Sequence, residues 1–301
     1  MARIVAILVI VGSTIPAAAQ TLDDGLLMSS RALCTGFVYM HDSWNEYWEG
    51  SLLRDNENIG TLTTQSIAWM GAYGVTPDLT VVAMLPYVWT EASDGPLHGM
   101  DGFQDLTIGA KYRLLSTPFT SAGTMRAFVS AAFATPVSAY TPDFLPMSIG
   151  LHSRRLSGRF ILNFETPQGI FANGSTAYTW RANVELERES YFTNDRLYLT
   201  NEVQMPAVFD YNVSVGYRKG RLMVPLSLAQ QRTLGGSDIR RNDMPFVSNQ
   251  MDFVRLDATV MYTLPVPENL LVRAGVSRVV SGRNVGQSTT LSAGLLYTIN
   301  F

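Results

Sequence analysis

Cysteine is all but missing. Cys34 is the only one, so neither an intrachain disulfide nor a cysteine-based metal site can form. Histidine is nearly as scarce, at 3 residues: His41, His98 and His152. Charged residues make up 16% of the chain, against about a quarter in ordinary soluble proteins. The formal net charge is −3, which excludes the basic face that nucleic-acid binding needs. After residue 20 there is no apolar run of the roughly 18 residues that a transmembrane helix requires. No G-x-S-x-G, H-E-x-x-H, Walker or dinucleotide motif occurs. His41-Asp42 and His98 assemble with no nucleophile by spacing. The chain therefore reads as a non-enzyme with no cofactor and no metal.

What remains is neutral polar residues, 24 glycines, 13 tyrosines and 14 phenylalanines, a composition suited to β structure. Residues 1–19 read as a signal peptide. Arg3 supplies the positive start, Ile4 to Val11 the short apolar run, and Ala17-Ala18-Ala19 the small-residue cleavage site. The expected organisation is one domain over 20–301, with 21–31 able to form an N-terminal plug.

The C-terminus alternates with period two. Leu291, Ala293, Leu295, Tyr297, Ile299 and Phe301 share one face, and Leu296 is the one apolar residue on the other. A terminal aromatic in register with the apolar face resembles the assembly signal of bacterial outer-membrane barrels, which assigns that role to Tyr297, Ile299 and Phe301. The same alternation recurs upstream. Leu106, Ile108, Ala110, Tyr112 and Leu114 oppose Lys111 and Arg113; Tyr178, Trp180, Ala182, Val184 and Leu186 oppose Arg181 and Glu185. In a membrane barrel the apolar faces meet lipid and the polar faces line the interior.

Short and long connections alternate. Short turns fit at Val75 to Asp78, Ser116 to Ala122, Leu156 to Gly158, Glu189 to Asn194, Lys219-Gly220 and Pro265 to Asn269. Longer ones fit at Glu46 to Asn58, Ala92 to Asp101, Pro136 to Pro146, Pro167 to Gly174, Pro206 to Val208, Leu234 to Gln250 and Ser281 to Gly286. The fold expected is an all-β antiparallel transmembrane barrel of about fourteen strands, or twelve if one hairpin is lost, with both termini periplasmic. Aromatics near the strand ends, including Trp44, Trp48, Trp69, Tyr73 and Tyr217, suit the two interfacial girdles. The longest loop expected, Leu234 to Gln250, is short for an adhesin.

Inward-facing residues are the candidates for a permeation path. The charged ones are Lys111, Arg113, Arg126, Arg181, Glu185, Glu202, Arg255, Asp257 and Arg273; the apolar ones are Val82, Met84, Val88 and Phe128. Mixed charges can set selectivity or brace a closed interior. Apolar residues on the same side suit amphipathic or aromatic solutes, or form a packing layer.

One stretch is more specific. Gly71-Ala72-Tyr73-Gly74-Val75-Thr76-Pro77-Asp78-Leu79-Thr80 leads through Met84-Leu85-Pro86-Tyr87 to Gly102-Phe103-Gln104-Asp105-Leu106-Thr107-Ile108-Gly109-Ala110-Lys111-Tyr112-Arg113. It resembles the outer-membrane transporters named after the phenol meta-pathway of degradation, themselves regarded as akin to long-chain fatty-acid and aromatic-hydrocarbon channels. The resemblance covers about residues 60–150. It implies passive uptake of small hydrophobic or aromatic compounds across the bacterial outer membrane, and its motifs transfer no substrate-binding residue. The partners expected are membrane lipid, lipopolysaccharide, the barrel-assembly machinery and the solute. A non-conducting structural or adhesion barrel is the alternative.

Overall fold

The computed structural model describes residues 21–240 and 245–301; the expected signal peptide lies outside the described residues. Twelve long strands close into one antiparallel barrel: β1 (Ala32–Trp44), β2 (Leu62–Thr76), β3 (Leu79–Ala92), β4 (Asp105–Phe119), β5 (Gly123–Pro136), β6 (Arg155–Glu165), β7 (Ile170–Arg181), β8 (Val208–Lys219), β9 (Leu222–Thr233), β10 (Asp252–Thr263), β11 (Leu270–Arg283) and β12 (Thr289–Asn300). Each pairs with its sequence neighbours, and β1 pairs with β12, from Ala32 opposite Asn300 to Ser43 opposite Thr289. Closure leaves no unpaired edge, the condition for crossing a membrane with strands. Among the described residues the only helical element is the 3-10 turn Thr120–Ala122 between β4 and β5.

The strand count is the smaller of the two expected. The region from Pro136 to Val208 supplies two strands, not four. Leu156 to Gly158 is no turn but the interior of β6. Gly158 faces outward there with open space where a Cβ would stand. Pro167 to Gly174 is no long loop. The chain reverses at Thr166 to Gly169, where Gly169 has φ +94° and a Cβ would lie 2.2 Å from the Arg218 carbonyl oxygen. Glu189 to Asn194 belongs to an outer connection running from Ala182 to Ala207, now longer than Leu234 to Gln250.

Two ends follow. The start of β1, the end of β12 and five short turns lie at the periplasmic end; six connections form the outer end. The wall is apolar outside: Ile108, Tyr112, Val213, Val215, Tyr217, Leu295 and Tyr297 are exposed, while Thr80, Lys111, Ser130, Asn163, Asn173 and Ser214 are buried inside. Exposed Tyr73 and Tyr217 suit a girdle; Trp69, also exposed, lies at mid-strand opposite Phe37 and Leu85 and so does not. Trp44 and Trp48 instead turn inward and pack under the outer connections, against Gly286 and Gly282. Those connections carry their own cores. One joins Val184, Leu186, Tyr191, Val203, Met205, Phe246 and Val247. Others join Ile59, Leu62 and Met147, and Val88, Tyr140 and Ile149.

Candidate functional site: the lumen and the segment within it

The chain preceding β1 runs inside the barrel. Gly74 admits it: a Cβ there would stand 2.0 Å from the Ser29 carbonyl oxygen, so only glycine fits. A Cβ on Gly109 would meet Leu22 at 2.9 Å. Thr80, fully buried, accepts the Met28 N–H at 2.9 Å. Met28 then packs with Cys34, Val38, Val82, Leu271 and Leu296 in an apolar cluster on the inner face. Leu296, the exception to the terminal alternation, points inward into this cluster.

Further in, the segment is held by charge and amides. Lys111 is 0% exposed and uses all three ammonium protons, on Thr21 O (2.6 Å), Asp24 O (3.1 Å) and Asp24 Oδ1 (2.7 Å). Ser130 donates to Leu22 O at 2.9 Å, Asn173 to Asp23 O at 3.0 Å and Asn212 to Asp23 Oδ2 at 3.2 Å. The segment thus bridges β4, β5, β7 and β8. Between it and the wall remains a cavity of about 140 Å³, bordered by Asn173, Phe171, Met223, Met261 and Arg273 among others.

The other expected lining residues are distributed as follows. Arg113 binds Asp78 at the periplasmic turn, at 2.5 Å. Arg126 binds Glu165 at 2.8 Å, and Glu165 also holds Arg218. Arg255 binds Asp257 at 2.8 Å and lies over the Phe253 ring. Val82 sits in the inner cluster, Met84 is half-buried, Phe128 is buried on the inner side, and Val88 is covered by Tyr140 and Ile149. Glu185 and Glu202 are not wall residues. β7 ends at Arg181, and the two glutamates face each other in the short pair Val184–Glu185 and Glu202–Val203, both exposed. Arg181 stands at the outer rim and Arg273 near the periplasmic start of β11. Tyr297, Ile299 and Phe301 face outward, Phe301 at 74% exposure.

His41 and Asp42 occupy successive positions of β1 and so point to opposite faces. Asp42 faces inward and accepts from Thr290 at 2.5 Å. Among the described residues no group of three His, Cys, Asp or Glu could hold a metal.

Asp24, Asn163, Asn173, Glu165, Asp210 and Arg159 were not singled out in the sequence. Asn163 and Asn173 do sit on polar faces, but an inward amide carries no mark that separates a bracket for the chain from a wetted wall. Asp210 binds Arg159 at 2.5 Å.

Residues 57–295 match the family model described as "Putative MetA-pathway of phenol degradation". The chain belongs to this family. No curated protein matches the sequence. Among solved structures, the chain is similar to the COG4313 outer membrane channel from Pseudomonas putida F1, with 12% identity, 94% of this chain and 99% of that one covered, and a TM-score of 0.70. The translocator domain of the autotransporter NalP from Neisseria meningitidis aligns with 10% identity over 91% and 90% of the two chains, at a TM-score of 0.47. A TodX mutant, a monoaromatic hydrocarbon channel, aligns with 10% identity over 91% of each chain, at 0.41. The fold is that of an outer-membrane β-barrel.

Proposed function

We propose that this barrel is a passive, non-enzymatic channel by which small hydrophobic or aromatic compounds cross the outer membrane. In this reading residues 21–31 are a constricting plug. The observation that carries it is the pairing of a docked N-terminal segment with a residual cavity that is part apolar and part polar. An apolar cavity of about 150 Å³ accommodates benzene, so the space left beside the segment matches a single ring. Passage needs sites favourable enough to enter and weak enough to leave, and a mixed lining of Phe171, Met223 and Met261 with amides and hydroxyls supplies such sites. A lumen this occupied wets poorly and should conduct salt weakly. Val82, Met84 and Phe128 serve the inner face, Val88 the outer approach, and the paired charges brace the wall. Tyr297, Ile299 and Phe301 serve as the signal read by the assembly machinery. Other outward side chains meet lipid and, in the outer leaflet, lipopolysaccharide.

The test is uptake of radiolabelled phenol or toluene by cells carrying the protein, beside cells carrying an empty vector. Faster uptake with low ionic conductance is expected. Equal uptake with no conductance would assign the protein to the structural class, and large solute-independent conductance would make it a general porin.

A further inference from the structure

Nearly every arginine that points into the barrel holds a carboxylate. Arg113, Arg126, Arg155, Arg159, Arg218 and Arg255 are each paired. Arg181 and Arg273 are the two exceptions. Among the described residues neither guanidinium has an ion pair, and the Nε of each is enclosed without a hydrogen-bond partner. Arg181 ends β7 at the outer rim, opposite Arg155 on β6. Arg273 lies in the periplasmic part of the wall, the fourth residue of β11, between Met261 on β10 and Gly294 on β12. Gly294 keeps room for it: a Cβ there would approach the Arg273 side chain to 3.0 Å.

Arg273 borders the cavity beside the N-terminal segment. Phe171, Met223, Pro225 and Met261 give the same cavity an apolar surface. Asn173, 5% exposed, contributes a carbonyl oxygen that accepts no bond. An unpaired cation enclosed in a wall is costly unless an anion completes it, and a guanidinium is the group best shaped for a carboxylate. Asp23 and Asp24 border the cavity too, but both carboxylates are engaged, Asp23 by Thr21 and Asn212 and Asp24 by Thr21 and Lys111.

We propose that this cavity is a binding site for a single-ring aromatic carboxylate, with the carboxylate on Arg273 and the ring against Phe171 and the methionines. Arg181, at the outer rim, is the second guanidinium without a carboxylate. The site rests on the channel reading only for its transport arm, so the two fail separately.

The full-length protein in detergent is titrated with benzoate by calorimetry at neutral pH. Neutral lipid vesicles carrying it are assayed for entry of benzenesulfonate and of benzyltrimethylammonium, permanent ions that lipid excludes. Saturable benzoate binding is expected, weakened about ten-fold or more in Arg273→Gln, the loss typical of a charged hydrogen bond. Arg273→Lys should recover part of it. Benzenesulfonate should enter faster than benzyltrimethylammonium, and Arg273→Gln should erase the difference. Arg273 is bonded to no other side chain, so both variants should keep their heat-modifiable barrel. Absence of benzoate binding, binding unchanged in Arg273→Gln, or preference for the cation overturns the proposal. Arg273-dependent binding with no entry above protein-free vesicles supports the site and overturns the channel reading.

Discussion

In β8, Val213, Val215 and Tyr217 are exposed and Ser214 is buried. Just beyond the outer rim, in the connection from Ala182 to Ala207, the sense is reversed: Val184, Leu186 and Val203 are buried while Glu185, Glu187 and Glu202 face water. Both stretches alternate with period two. In the first the apolar face is covered by lipid; in the second it must be covered by the protein itself, and Tyr191, Met205 and Phe246 do so. The change of sense falls at Arg181. Tyr178 and Trp180 before it are exposed, and the apolar residues that continue their register turn into the cap. Alternation thus reports a two-faced strand without saying which solvent each face meets.

The contrast can be broken on either side. The largest effect is expected at the junction of wall and N-terminal segment. Asp24→Ala leaves the Lys111 ammonium buried without its carboxylate, a loss of about 3–5 kcal/mol against the docked segment. The Met28 amide should then lose its hydrogen-exchange protection. Asp24→Ala combined with Lys111→Met, which removes both charges, should cost less than Asp24→Ala alone.

Next comes the wall. Val213→Arg places a charge on the lipid face in mid-strand and should destabilise the barrel by about 2–4 kcal/mol in a folding titration into vesicles. Ser214→Ala, one residue on, should be mild. The reverse ranking would mean that the faces are exchanged, since a slip of one residue swaps them.

In the cap, Val203→Ala should cost about 2 kcal/mol, from two lost methyl equivalents and a small cavity. The loss should appear as faster proteolysis of the outer connections, with the barrel's heat modifiability unchanged. A loss of barrel assembly would show that wall and cap fold as one unit.

The smallest effect expected is electrostatic. The Arg283 guanidinium, bonded to both oxygens of Asp238 at 2.7 and 2.6 Å, holds that carboxyl below the usual range. A depressed carboxylate stabilises fully at neutral pH and loses its contribution as pH falls through its folded value. Acid should therefore loosen the Leu234 to Gln250 connection. Both partners are over a third exposed, so Asp238→Asn should change stability by at most about 1 kcal/mol and remove the acid step in its proteolysis.

The barrel was legible because strands such as β4, β8 and β12 carry the pattern over some ten residues and the chain ends on Phe301. The count was less so. Gly158 and Pro167 look alike as turn signals, yet one sits in a strand and the other in a tight reversal; backbone pairing with β5 and β7 decides it. The inward placement of Lys111, Arg113, Arg126 and Arg273 was readable from alternation. Their pairing was not, because Asp24, Asp78 and Glu165 come from other parts of the chain. Two glycines and a lysine of the family motif gained a second meaning. Gly74, Gly109 and Lys111 read as strand and bend signals, but in three dimensions all three touch the segment from Thr21 to Ser29. A motif that shapes a wall and one that seats an inner segment look the same until the seated chain is seen.

The central claim is that the N-terminal segment sets the passage. Planar-bilayer conductance of the intact protein and of Asp24→Ala tests it most directly. The account predicts small conductance for the intact barrel and a several-fold larger step once the Lys111 anchor is lost. A large, steady conductance in the intact protein, unchanged by Asp24→Ala, would contradict it.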